Sequence, residues 1–317
     1  MRLGTRGSAL ALAQAELVAK LLEDHAGEAV EIVPMVTRGD RESASVSDDA
    51  GELAGDGPPG APPAGEDKSR WVSELERALA AGEIDAAVHS AKDVPGEAAP
   101  GLTIVADPSR AASEDVLCGA GELAALAQGA RVGTSSVRRV AQLRAAREDI
   151  EVVAMHGNVD TRLRKLGDST QGLDAIVLAR AGLQRLGREA EAGGALDFVP
   201  APGQGTLALQ AREEDTEAQA ALSAIGDEHA LACLLAERAL ARALSASCDT
   251  PLGAHASIDG EMMVLRAWVG LPDGTEWIAD ELSGNGSDPE ALGRAVAQRM
   301  QTAGAAELLR RAGTATE

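Results

Sequence analysis

The run Gly133-Thr134-Ser135-Ser136-Val137-Arg138-Arg139 places a glycine, three hydroxyls and two adjacent arginines at the junction of an apolar strand and a helix. Backbone N–H groups at a helix start, hydroxyl donors and bidentate guanidinium forks together suit an anion, a carboxylate above all. The same run also reads as a capped helix carrying two solvated arginines, and by itself it does not separate the two. Farther along, Arg162, Arg164 and Lys165 share a helix, while Arg180 and Arg185 follow the end of a strand.

Residues 131–188 hold eleven Arg/Lys against six Asp/Glu, a net of +5. The whole chain carries −21, so the remainder carries −21 − 5 = −26. A basic island in so acidic a chain implies an anionic ligand or internal ion pairs. Nucleic acid is a poor match: the acidic remainder repels phosphate, and aromatics for base stacking are only 1% of residues. A small polycarboxylate or phosphate fits better.

Two further side chains could do chemistry. Cys118 and Cys233 sit in apolar surroundings that suit buried, inert thiols. Cys248 lies in the polar loop Ser245–Pro251 and is the candidate reactive thiol. Neither a histidine nor a second cysteine adjoins it, so no metal site or protease dyad is expected. Asp93, in Lys92-Asp93-Val94-Pro95, closes a strand. A carboxylate there can cap a turn or, walled off from water, stabilise a cation and carry protons.

These groups must be positioned by α/β elements. Leu10, Leu17, Val18 and Leu21 follow Ser8 at helical spacing, and 30–36 reads as a strand. Residues 44–67 are rich in Gly, Pro, Ala and acids and read as a loop. A helix over about 71–81 and a strand over 84–88 lead into His89–Pro95. After a crossover near 106–114, strand–loop–helix patterns recur at 131, 151 and 175. Such alternation predicts parallel sheets that bind ligands at the carboxyl ends of their strands. From 228 a long Ala/Leu helix, the Cys248 loop, two strands (262–269 and 276–282) and two helices make a small α+β domain.

A length of 317 residues predicts two or three domains, with cores of Ala, Val, Leu and Ile. Without a long apolar run or a leader-like start, the chain reads as a soluble, cytoplasmic protein. Only four of the 29 basic residues are lysines. That acidic, lysine-poor balance fits either a salt-rich cytoplasm or simply an acidic protein from a GC-rich genome.

Together the segments resemble the hydroxymethylbilane synthase (porphobilinogen deaminase) family. The matching blocks are Gly4–Ala11, Pro34–Asp40, His89–Pro95, Gly133–Arg139, Gly157–Leu163 and Ser247–Gly253, with Pro202–Gly205 as a shorter addition, all in the family's order. The resemblance implies two periplasmic-binding-protein-like lobes of type II (1–108 with 201–223, and 109–200) and a C-terminal α+β domain over 224–317. It implies a monomeric transferase without metal. Porphobilinogen would lose ammonia to give an electrophilic methylene-pyrrolenine, attacked by a pyrrole chain primed on a cysteine-bound dipyrromethane. Four rounds and a hydrolysis would release hydroxymethylbilane.

Residue by residue, the resemblance makes Cys248 the covalent anchor and Asp93 the catalytic carboxylate. Ser90, Lys92, Thr134, Ser135, Ser136, Arg138, Arg139 and Asp40 match cofactor-binding positions. Arg6, Arg162, Arg185, His156, Gln204 and Lys68 match substrate-binding ones. The rival reading, a module that merely captures a small anion, needs neither Cys248 nor Asp93 and more often carries an export signal. Two departures stand out: His156 replaces an arginine of the family pattern, and 44–67 is longer, more acidic and richer in proline than the family's lysine-bearing lid, with which Lys68 and Trp71 align.

A histidine near neutral pH is only partly charged. His156→Arg is therefore expected to raise turnover more at high pH than at low pH. An equal gain across the pH range would count against a charge role for His156.

Overall fold

The computed structural model describes residues 1–27, 29–36, 69–96, 99–247 and 249–314. The 44–67 segment, Thr37–Asp40, Lys68 and Cys248 lie outside the described residues.

Strand β1 (Arg2–Arg6) enters α1 (Ala9–Ala26), where Ser8 accepts the Ala11 N–H in its predicted capping role. Strand β2 (Glu31–Met35), α2 (Ser69–Ala80) and β3 (Ala86–Ser90) follow. A single 3-10 turn, Ala91–Asp93, then precedes β4 (Leu102–Ala106), so Lys92 and Asp93 sit on a turn just beyond a strand and not at its end.

After the crossover come β5 (Asp115–Cys118), β6 (Arg131–Gly133), α3 (Val137–Ala146), β7 (Glu151–Val153) and α4 (Val159–Gly167). Then β8 (Ala175–Ala179), α5 (Arg180–Arg185) and β9 (Ala195–Leu196) lead back through β10 (Leu207–Arg212) to α6 (Thr216–Ser223). The last third is α7 (Glu228–Ala243), strands β11 (Leu252–Asp259), β12 (Met262–Gly270) and β13 (Trp277–Asn285), α8 (Pro289–Thr302) and α9 (Ala305–Thr314).

The two five-stranded sheets share one plan. Their orders are β2-β1-β3-β10-β4 and β7-β6-β8-β5-β9. In each, three strands run parallel, and the strand arriving from the other lobe lies antiparallel to both neighbours. Each lobe thus lends the other one strand, which gives the two-lobe architecture of type II binding proteins. The third sheet is an antiparallel meander, β11-β12-β13, covered by α7, α8 and α9. There α8 and α7 pack so closely that a Cβ on Gly293 would overlap the Ala236 carbonyl oxygen.

Strands β4, β10 and β11 are not apparent from sequence pattern. Leu-Ala-Leu-Gln-Ala-Arg in β10 has helix-favouring composition, and β11 opens Leu-Gly-Ala-His-Ala. Pairing decides both: β10 is flanked by β3 and β4, and β11 pairs with β12 along its whole length.

Where the three units meet, an ion pair is buried. Arg110 Nη1 donates to Glu237 Oε1 at 2.7 Å, and Arg110 also donates to the Gln204 carbonyl from Nε and Nη2 at 3.0 and 2.9 Å. Glu237, wholly buried, accepts the N–H groups of Gly203 (2.6 Å) and Ala256 (2.7 Å). One carboxylate thereby ties the first crossover, the return crossover and β11 to α7. Glu237→Gln leaves the Arg110 charge buried without its counter-ion. We expect a loss of about 3–5 kcal/mol in urea unfolding, and a loss under about 1 kcal/mol would mean that solvent reaches the pair.

Candidate active site

Among the described residues, several of the predicted site residues lie at or just beyond strand ends of the two lobes. From lobe one, β1 ends at Arg6 and β3 at Ser90, followed by Lys92 and Asp93 on the 3-10 turn. From lobe two, β6 runs into Thr134, Ser135 and Ser136, and β7 leads to His156. Lys92 lies within charge range of the second lobe. Lys92 feels Asp93 on its own turn and Arg138, Arg139 and Asp115 across the lobes. His89, under the turn, feels both Arg6 and Asp93, and burial pushes its imidazole down to about 4, so it is neutral there, bonded to Gln210 at 3.1 Å.

Arg138 and Arg139 are neither solvated nor pointed openly into the cleft. Both are buried and grip Asp115, Arg138 Nη1 at 2.8 Å from Oδ2 and Arg139 Nη2 at 2.7 Å from Oδ1. Further guanidinium N–H groups donate to the Val199 and Val177 carbonyls. Burial works to raise the Asp115 carboxyl, but the two arginines overcome it and hold Asp115 well below the usual carboxylate range. Gln204 completes the cluster: its amide donates to Asp115 (2.9 Å) and to the Ser113 carbonyl (2.7 Å).

Asp115 and Arg110 were not among the residues singled out from sequence. The one available signal was an acid opening an apolar strand, Asp115-Val116-Leu117-Cys118, which is unusual for a buried position.

The hydroxyls divide. Thr134 is buried and accepts the Ser136 N–H, while Ser136 makes no side-chain cap bond to α3. Ser135 Oγ accepts the Met155 N–H at 2.7 Å and lies 3.3 Å from His156 Nε2. Ser90 is held by Gln14 at 3.0 Å. Arg162 Nε donates to the Gly157 carbonyl at 2.7 Å, and Arg185 Nη2 to the Gly205 carbonyl at 2.5 Å. Cys118 and Cys233 are buried, with burial pushing each thiol up to about 11. No group of three metal-ligating side chains occurs among the described residues.

Among the described residues, the cleft gathers positive charge that is partly or wholly withdrawn from water. Burial lowers Lys92 to about 8, and burial with Arg139 lowers Arg162 to about 10. Arg185 is likewise lowered to about 10 by burial, with Asp107 resisting the shift. Arg138 Nε and Arg185 Nε are buried without a hydrogen-bond partner among the described residues. Cations penalised in this way are relieved by a ligand with several carboxylates. The donor set therefore fits a dipyrromethane, whose two pyrroles carry four acid arms.

A family model described as "Porphobilinogen deaminase, dipyromethane cofactor binding domain" matches residues 1–220. A second, "Porphobilinogen deaminase, C-terminal domain", matches 231–302. Over 318 residues the chain is 43% identical to the porphobilinogen deaminase of Xanthomonas euvesicatoria pv. vesicatoria (strain 85-10), covering 98% of each. With that of Roseiflexus sp. (strain RS-1) it shares 41% over 313 residues, covering 97% of each. Among solved structures, immunogenic lipoprotein A from Vibrio vulnificus aligns at 14% identity and a TM-score of 0.41, covering 73% of this chain and 96% of that one.

A buried acid stands beside this site. Asp107 is fully buried and accepts the Leu207 N–H through Oδ1, while Oδ2 has no hydrogen-bond partner among the described residues. Burial raises its carboxyl to about 7, against the pull of the Leu207 N–H, Arg110 and Arg185. Because the folded-state value lies above the ordinary one of 3.8, Asp107 costs little at low pH, and stability falls as pH rises toward about 7. Asp107→Asn is expected to stabilise the protein by roughly 1–3 kcal/mol at pH 8 and by less at pH 5. Urea unfolding at both pH values tests this, and a pH-independent difference would show that the carboxyl does not titrate there.

Proposed function

The chain belongs to the porphobilinogen deaminase family, and from that premise we propose how its own residues carry out the reaction. The enzyme is a hydroxymethylbilane synthase, a transferase that joins four porphobilinogen molecules head to tail with release of ammonia and then hydrolyses the product from its primer. The dipyrromethane group supplies the pyrrole α-carbon to which the first substrate is joined.

The observation that carries the site assignment is the gathering of partly or wholly buried cations, Lys92 beside Asp93 and Arg138, Arg139, Arg162 and Arg185 from the second lobe. Each added ring brings two carboxylates, and a lengthening polyanion needs several cations at once. We assign Arg138, Arg139 and Lys92, with Ser90, Thr134, Ser135, Ser136 and Asp40, to holding the primer. Arg6, Arg162, Arg185, His156, Gln204 and Lys68 are assigned to the acid arms of incoming and growing rings. In this reading Asp115 keeps Arg138 and Arg139 oriented before any ligand arrives, so that little reorganisation is left for binding.

Asp93 is the one acid assigned to the chemistry. Its carboxylate stabilises positive charge that develops on a pyrrole ring and takes up the α-proton once the new bond has formed. The neighbouring Lys92, lowered to about 8 by burial, holds acid arms of the primer when protonated. Cys248 is assigned as the thioether anchor. Lobe boundaries at 108/109 and 200/201, with the third domain from 224, follow from the same reading. The same reading makes the enzyme monomeric and cytoplasmic, and the net charge of −21 with the scarcity of lysine supports adaptation to a salt-rich interior.

Intact mass under denaturing conditions tests the anchor. The protein is expected to carry the mass of two pyrrole units, absent from Cys248→Ser, while Asp93→Asn keeps the adduct but loses at least about 100-fold in turnover. Absence of any adduct after incubation with porphobilinogen at high salt would overturn the assignment.

A further inference from the structure

We propose that Arg238, on helix α7 of the third domain, is a positioning residue that fixes the turn carrying Lys92 and Asp93. The inference rests on the assignment of Asp93 above and adds a residue remote from the cleft.

After the 3-10 turn at Ala91–Asp93 the chain continues as Val94-Pro95-Gly96, outside any strand. A segment leaving a sheet has carbonyls that must find donors elsewhere. Arg238 meets three in succession: Nη1 donates to the Val94 carbonyl at 3.4 Å, and Nη2 to those of Pro95 at 2.7 Å and Gly96 at 3.0 Å. Only a planar fork with donors on two nitrogens spans three consecutive peptides in this way. The side chain is buried, and burial, with Arg242 nearby, lowers it to about 10, so it remains charged at neutral pH. A buried cation that donates to these carbonyls resists displacement, because leaving them would strand its charge.

The same helix grips the turn from its other side. Leu234, one turn earlier on α7, packs in one cluster with Ala91, Val94 and Ala208. Glu237 accepts the N–H of Gly203, whose φ of +75° lets the backbone lie against the turn. A Cβ there would come within 3.0 Å of Ala91 Cβ and 3.1 Å of the Lys92 nitrogen. The turn is thus held from below by Leu234, from the Ala91–Lys92 side through Gly203, and from its exit by Arg238. The first two contacts are apolar or indirect. The Ala91 N–H bond to the Thr206 carbonyl fixes where the turn begins, and Arg238 fixes how it leaves, since hydrogen bonds to three carbonyls set the orientation of their peptide planes and hence of the residue just before them.

Arg238→Gln and Arg238→Lys, prepared with primer attached, test this beside Asp93→Asn. With Arg238→Gln, kcat for porphobilinogen is expected to fall about 10- to 100-fold with KM within about threefold, as for a misplaced reacting group. Primer mass should be retained, and amide hydrogen exchange should quicken at Ala91 and Val94, whose N–H groups bond the Thr206 and Ala91 carbonyls. Arg238→Lys should restore part of kcat. Unchanged kcat per primed molecule, with the loss confined to a lower unfolding midpoint, would overturn the proposal and leave Arg238 a stabilising residue only. Should Arg238→Gln fail to fold, the lysine variant decides by the same two readouts. Wild-type kcat in Asp93→Asn would instead remove the underlying assignment, while the exchange measurement would still report whether Arg238 holds the turn.

Discussion

Three sheets can share one cleft only if their junction tolerates no slippage, and the buried Arg110–Glu237 pair supplies that junction. Neither charge survives burial alone, because desolvation costs several kcal/mol per ion unless partner and hydrogen bonds are both in place. Here nearly every position is filled: Arg110 is spent on Glu237 and the Gln204 carbonyl, and Glu237 on Arg110, Gly203 and Ala256. Five residues along the same crossover, Asp115 forms a second node with Arg138 and Arg139. Gln204 joins the two, its backbone carbonyl serving Arg110 and its side chain serving Asp115. The crossovers are therefore held as a polar core, while each sheet has its own apolar one.

Arginine does two jobs in this chain, and the distinction is one of geometry. Some guanidinium groups pin loops by donating to backbone carbonyls: Arg2 to Gly82 and Glu83, Arg131 to Gln171 and Gly172, Arg147 to Leu123 and Leu126, Arg212 to Leu79 and Ile84. An ammonium group lacks the fork these pairs require. The abundance of arginine over lysine thus has a structural use apart from its effect on the surface. The basic island of the second lobe divides accordingly. Arg131 and Arg147 are internal staples with acidic partners, Glu151 and Asp149. Arg162 and Arg185 stay charged at a cost that a polyanion would remove.

Much of the fold was legible in the sequence because its signals are local. Ser8 before a helical apolar pattern specified α1, and Pro272-Asp273-Gly274 marked the β12–β13 turn. Alternating strand and helix patterns announced parallel sheets, and the ordered blocks announced the family. Lys92 and Asp93 are recognisable as residues, but nothing local in the sequence separates the 3-10 turn that carries them from the strand before it.

What the sequence determined by itself was composition, the local elements and the identity of the chemical groups, all of which depend on neighbours a few residues away. Tertiary structure alone decided that β10 is a strand, that Arg138 and Arg139 are buried on Asp115, and that Glu237 and Arg238, adjacent on one helix, serve two different loops. Each of these depends on partners from 19 to 144 residues distant in sequence. A buried charge is stable only where its counter-charge and carbonyl partners arrive together, and no local pattern records that arrival.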